Sequence, residues 1–317
     1  MKALVTGAAG QLGLEISRVF AQDGEVVALP RARLDICDHA AVLQVTRETR
    51  PDVILNCAAY NDVDGAEADP VAALQVNGFG VRSLAAAARE TGAVLVHYGT
   101  DFVFDGTADH PYDESALPGP QSVYATSKLL GEWFACGAPR HYVLRVESLF
   151  GGGAEAVHPT ARRLGSTVDR MVDAMLAGRP VRGFTDRTVS PSYIPDVAAA
   201  TRALVVGDAA TGLYHCVNTG RATWFEVARA AAIRLGCEPL LSPITMSEVQ
   251  TRAARPRFCA LSNSKIVAAG ATMPTWEDAL DRYLAARLAA TAGGDGAVSS
   301  GRHPRSPTPG AQSTDTP

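Results

Sequence analysis

The sequence predicts an α/β protein: a doubly wound parallel sheet followed by a smaller C-terminal α/β lobe. Three observations carry that reading. Short apolar runs alternate with helical patterns through the first half of the 317 residues, a glycine turn follows the first run and opens the first helix, and the alternation breaks down near residue 151. With 47% hydrophobic and 20% charged residues, the chain can bury one large core or two modest ones.

Five runs read as strands: KALVTG (2–7), EVVALP (25–30), DVILNCAAY (52–60), AVLVHYGT (93–100) and HYVLRV (141–146). Helical spacing with Ala, Leu, Glu and Arg fills the segments 13–22, 39–49, 69–92 and 122–132. Beyond 151, GGGAEAVHPTARRLG reads as a loop, 166–180 as a helix closed by Gly178 and Pro180, and 194–207 as another packing helix. A strand over 212–218 and a helix ending at Gly236 follow. The expected division is a first domain over 1–150 with a returning segment near 182–206, a lobe mainly over 151–289, and a disordered tail over 290–317. That tail is rich in Gly, Ser, Pro and Thr and has no large apolar side chain after Val298.

A net charge of −4 and a pI near 6.0 give no reason to expect nucleic acid or an acidic membrane as partner, while a small anionic ligand is allowed. The N-terminus lacks the apolar region of a signal peptide, and no stretch reaches the roughly 20 apolar residues of a spanning helix. A soluble, cytoplasmic protein is the expectation. The six cysteines are scattered without metal-ligand spacing and read as reduced small hydrophobes.

In LVTGAAGQLGLEI the glycines Gly7, Gly10 and Gly13, with Gln11 and Leu12 between them, lie between strand and helix. This Rossmann-type turn lets a pyrophosphate approach the backbone and offers it the N–H groups of a helix N-terminus. After the second strand there is no acidic residue to grip a ribose hydroxyl. Arg31 and Arg33 stand there instead, either as partners of a 2′-phosphate, which favours NADPH over NADH, or as solvated surface groups. Asp35 and Ile36 could border the adenine. Ala58 and Ala59 are small enough for a cofactor to pass, and Asn77 begins or interrupts a helix.

Within SVYATSKLLGE, Tyr124 and Lys128 are four residues apart and share a helix face, a candidate proton-transfer pair. Thr100 closes the fourth strand, where a doubly wound sheet presents groups to ligands. Hydroxyl, phenol and ammonium beside a dinucleotide make a set.

At these residues the chain resembles the extended branch of the short-chain dehydrogenase/reductases, and within it the dTDP-4-dehydrorhamnose reductase family of sugar-nucleotide 4-ketoreductases. GAAGQLG, PDVILNCAAYNDVDGAEADP, HYGTDFVFDG, PYDES, YATSK with LLGE, GLYHCVNTGRATW and RAARPRF carry the resemblance, from residue 2 to about 265. It implies NAD(P)-dependent reduction at C4 of a nucleotide-linked 4-keto-6-deoxy sugar in deoxysugar biosynthesis. Tyr124 would donate the proton, Lys128 would lower the phenol's pKa and hold the nicotinamide ribose, and Thr100 would hydrogen-bond the carbonyl oxygen. It further implies cofactor contacts from Ala59, Tyr60 and Asn61. Sugar contacts would come from Asp101, Val103 and Ser148, and phosphate contacts from Arg255 and Arg257.

Departures from the family's pattern are specific. Gly99-Thr100-Asp101 stands for S-T-D, Arg145-Val146-Glu147-Ser148-Leu149-Phe150 for R-T-S-W-V-Y, and Asp186-Arg187 for the opening of D-Q-x-G-x-P-T. The lost tryptophan leaves the sugar open. Glu15 matches one position of a Mg²⁺ site some members share across a homodimer, but its later partner falls near Arg179, so no metal is expected. The same machinery would also serve an epimerase or dehydratase, and a non-catalytic regulatory subunit is a third reading.

Overall fold

The computed structural model describes residues 1–152 and 165–294. Most of the loop expected over 151–165 and the tail from 295 onward lie outside the described residues. The start of the expected tail does not hold, because the last helix continues to Gly294.

From the N-terminus, β1 (Lys2–Thr6), α1 (Gln11–Phe20), β2 (Glu25–Leu29), α2 (His39–Thr49) and β3 (Val53–Asn56) alternate as their periodicity predicts. Asp38 starts α2 by accepting from the Ala41 N–H at 3.0 Å. Next come α3 (Val63–Ala68), α4 (Pro70–Leu74), a π-helical turn (Gln75–Phe79) and α5 (Gly80–Thr91). The helical segment expected over 69–92 thus changes its winding at Asn77, the residue expected to begin or interrupt a helix. β4 (Val94–Thr100), α6 (Val123–Ala135) and β5 (His141–Val146) complete the first half. The rest is β6 (Leu149–Phe150), α7 (Thr167–Leu176), β7 (Val181–Phe184), β8 (Thr188–Val189), β9 (Ser192–Tyr193), α8 (Ile194–Val206), β10 (Gly212–His215), β11 (Ala222–Thr223), α9 (Trp224–Leu235), β12 (Leu241–Ile244), α10 (Ser264–Ala268) and α11 (Trp276–Gly294).

The main sheet is parallel, in the order β10-β5-β4-β3-β1-β2. Expected over 182–206, the return to this sheet is carried by α8 and β10, whereas β7 pairs with β12. Alternate residues of the strands feed opposite faces. Val5, Leu55 and Val96 pack with α1 and α8, while Leu4, Ile54 and Leu95 pack with α2 and α5. A separate apolar cluster joins α7, α9 and α11 through Val172, Met175, Val227 and Leu280. The strand order reverses at β1, between β2 and β3, so the ligand crevice of a doubly wound sheet opens at the C-terminal ends of these strands.

Candidate active site

The glycine turn is enforced by its surroundings. Gly7 has φ +64°, and a Cβ there would come within 2.5 Å of the Ala58 nitrogen, while one on Gly13 would lie 2.5 Å from the Gly7 carbonyl oxygen. Gly10 caps α1 without a side-chain hydrogen bond, so no side chain competes for the first-turn N–H groups. This bare helix start, beside small half-buried Ala58 and Ala59, fits a dinucleotide pyrophosphate. Gln11 reaches from the turn to Asp169 of α7 at 3.3 Å, and Leu12 packs against the main core. Beneath them, Thr6 donates to Asn56 Oδ1 at 2.8 Å, and Asn56 Nδ2 meets His97 Nδ1 at 3.1 Å, linking the ends of β1 and β3 to the middle of β4.

Arg31 is exposed and 3.5 Å from Asp35, which in turn accepts from the Cys37 N–H. Ile36 is buried in the core, its side chain against the start of α5. Asn77 is likewise committed within the protein. Its amide accepts from the Tyr60 N–H at 2.8 Å and donates to the Tyr60 carbonyl and to Ser127 Oγ, both at 3.0 Å. It holds the chain around Tyr60 in place, a role closer to packing than to ligand contact.

Ser122 caps α6 by accepting from the Ala125 N–H, and the next turns carry Tyr124 and Lys128 on one buried face. Lys128 Nζ donates to the Tyr98 carbonyl at 2.6 Å. Burial lowers the Lys128 pKa to about 8 against the attraction of Glu132. The Tyr124 ring lies edge-on to Phe102 at 5.7 Å. Its phenol interacts with the Thr100 hydroxyl, which lowers its pKa, but burial first and the charge of Asp101 second push it well above the usual value. In the isolated chain the desolvation of this phenol is the largest of these influences.

Gly99, where the family has serine, is explained by its neighbour. A Cβ there would sit 2.3 Å from Glu132 Oε1, and Glu132 is locked by Arg145 in a buried ion pair of 2.8 Å. Thr100 donates to Asp101 Oδ1 at 3.1 Å and accepts from the Phe102 N–H at 3.3 Å. The Val103 side chain lies in an apolar cluster with Phe104 and Leu129. Ser148 is half-buried with φ +49°. Arg255 is paired with Asp64 of α3 at 2.7 Å, holding that carboxyl down at about 2, and Arg257 is exposed. The sequence reading passed over the grouping of Asp101 with Glu147, Arg187 and Cys259. The available signal was an acidic residue directly after each of two buried strands, Asp101 after β4 and Glu147 after β5.

A parallel sheet with a glycine turn at its switch point and a Thr, Tyr and Lys constellation at its rim is the architecture of an extended short-chain dehydrogenase/reductase. Residues 1–288 match the RmlD substrate binding domain family, and the chain belongs to that family. It is 37% identical over 275 residues to the dTDP-4-dehydrorhamnose reductase of Streptomyces griseus, covering 84% of this chain and 87% of the relative. Among solved structures it resembles a dTDP-4-dehydrorhamnose reductase from Clostridium acetobutylicum at 30% identity and TM-score 0.84, covering 91% of this chain and all of that one. The Bacillus anthracis reductase, solved in complex with NADP, matches at 30% identity and TM-score 0.82, over 89% and 98% of the two chains. Among the described residues, no helix is long and apolar enough to cross a membrane.

Proposed function

We propose that this protein reduces the C4 ketone of a nucleotide-linked 4-keto-6-deoxy sugar with NADPH, in the manner of the dTDP-4-dehydrorhamnose reductases it resembles. The observation that carries this reading is the meeting of Thr100, Tyr124 and Lys128 at the rim of β4, beside a glycine turn made for a pyrophosphate. The bare start of α1 would hold the pyrophosphate, Arg31 a 2′-phosphate, and Lys128 the nicotinamide ribose. Bound there, the dinucleotide supplies hydride chemistry at the carbonyl carbon.

The chain's own groups do the rest. Tyr124 gives its proton to the carbonyl oxygen as charge develops on it, and its raised pKa keeps it protonated until then. Thr100 donates a hydrogen bond to the same oxygen. Lys128, positively charged below its pKa of about 8, stabilises the phenolate left behind. Phosphates of the sugar nucleotide fall to Arg255, whose guanidinium is shared with Asp64.

The test is the oxidation of NADPH and NADH with a panel of nucleotide-linked 4-keto-6-deoxy sugars. One NADPH consumed per sugar is expected, whereas an epimerase would consume none. Tyr124→Phe should lower kcat by about 10²- to 10⁴-fold and leave NADPH binding, read by fluorescence titration, intact. Full turnover in that variant would remove Tyr124 from the mechanism.

A further inference from the structure

Two departures from the family pattern, Glu147 after β5 and Arg187 before β8, meet in the fold beside Asp101 and Cys259. Oxygens of Asp101 and Glu147 and the Cys259 sulfur all lie within 4.8 Å of one another, and the three side chains are buried. Asp101 is 3% and Glu147 1% exposed. Glu147 Oε2 accepts from the Ser190 N–H at 2.7 Å, while Glu147 Oε1 and Asp101 Oδ2 are buried without a hydrogen-bond partner. Arg187 first, and then the Cys259 thiol and the Thr100 hydroxyl, favour the Asp101 charge. Two carboxylates this close and this dry do not both ionise; one proton between them removes the repulsion and gives an idle oxygen a partner.

The groups facing the pair come from several elements. Arg187 attracts both carboxylates, Cys259 lies alongside, and Tyr124 of α6 faces Asp101. Burial outweighs Arg187, so Asp101 is pushed up to about 6, and Glu147 is raised well above the carboxylate range by burial and by Asp101. Positive charge at this cluster is thus supplied by Arg187, and the pair titrates as one unit.

Thr100 has a single hydroxyl proton, and it points at Asp101 Oδ1. While it does so, it cannot be given to a substrate oxygen. We propose that Glu147 is a positioning residue: it holds a proton in common with Asp101, and shifting that proton onto Asp101 frees the Thr100 hydroxyl to donate to the substrate's carbonyl oxygen. In this step the Glu147 O–H bond breaks, an Asp101 O–H bond forms, and the pair keeps one negative charge. Asp101 then donates to Thr100 Oγ1, and Thr100 turns its own proton outward. The proton that ends on product still comes from Tyr124. The inference rests on the carbonyl reduction proposed above.

The experiment measures kcat for the full chain and for Glu147→Gln from about pH 5 to about pH 9, together with infrared spectra of both. Glutamine keeps an acceptor for the Ser190 N–H and cannot pass on a proton. At neutral pH the variant should lose roughly 10²-fold in kcat, the worth of one oxyanion donor, with KM little changed. It should regain turnover as pH falls and Asp101 takes a proton from solvent, whereas the parent stays flat there. An equal loss at every pH, or no loss, overturns the proposal. The neutral-acid carbonyl stretch of the parent at neutral pH should vanish in the variant, and its absence from the parent overturns the proposal even if the variant fails to fold. A parent that oxidises NADPH beside a variant with a parallel profile sinks this inference alone. A parent that oxidises no NADPH sinks the reductase reading, while the infrared band still decides whether the pair holds a proton.

Discussion

Arg145 and Glu132 form an ion pair with side chains only 4% and 5% exposed, bound through three hydrogen bonds of 2.8–3.1 Å. Removing one partner strands the other charge in the core. Arg145→Met should therefore cost about 3–5 kcal/mol in urea unfolding, and adding Glu132→Gln should recover part of it. An unchanged midpoint in the single variant would show that Glu132 finds another partner. At this scale the sequence displayed Tyr124, Lys128 and Thr100, because helical period and strand end place each of them without reference to distant chain. Glu147 and Arg187 were visible only as oddities, since forty residues separate two groups that act on one another across the fold. That the side chains of Ile36 and Val103 turn into apolar clusters was hidden for a related reason: being near a site in the chain does not say which way a side chain turns.

Among the elements, the strand–glycine–helix unit is the one most completely written in local sequence, and its tolerances are correspondingly narrow. In Gly13→Ala the new methyl would press on backbone atoms, the Gly7 oxygen at 2.5 Å and the Ala8 Cα at 2.9 Å, so α1 must move off β1. NADPH affinity should fall by at least about tenfold and the melting temperature should drop. Gly92→Ala provides the contrast. At φ +77° with nothing within 4 Å of the added carbon, it should cost about 1 kcal/mol of stability and leave NADPH affinity alone. Calorimetry and a fluorescence titration of both variants check the pair, and equal loss of affinity in the two would refute the packing argument. The five strands and α2 were readable because apolar period and capping residues agree. β10 and β5 were each recognised as strands but their pairing was not, since about 70 residues of intervening chain leave no periodic trace of it.

For the molecule as a whole, polar ties bridge the large sheet and the smaller lobe: Gln11 to Asp169, Arg255 to Asp64, and Arg282 to Asp196 at 2.7 Å. A buried histidine makes the fold sensitive to acid. Burial, then Arg145, lowers the pKa of His215 to about 3, and its Nδ1 donates to the Tyr112 carbonyl at 3.1 Å. The unfolded chain binds this proton near the ordinary value of about 6.5 and the folded chain does not. Its effect is absent above that value and destabilises progressively as pH falls toward about 3. Urea midpoints should fall between about pH 7 and about pH 5, and less steeply in His215→Gln; parallel curves would assign the acid sensitivity elsewhere. The π-helical turn at Gln75–Phe79 carries a consequence for the whole arrangement. Ala73, before it, packs with Tyr124, while Val81 and Leu84, after it, pack into the sheet's core. The wider turn acts as a phase shifter, letting one continuous coil show its catalytic neighbour and its structural neighbour different faces. Deleting a single residue from it would rotate the two halves by about 100° against each other, so that one of those contacts could be kept only by giving up the other.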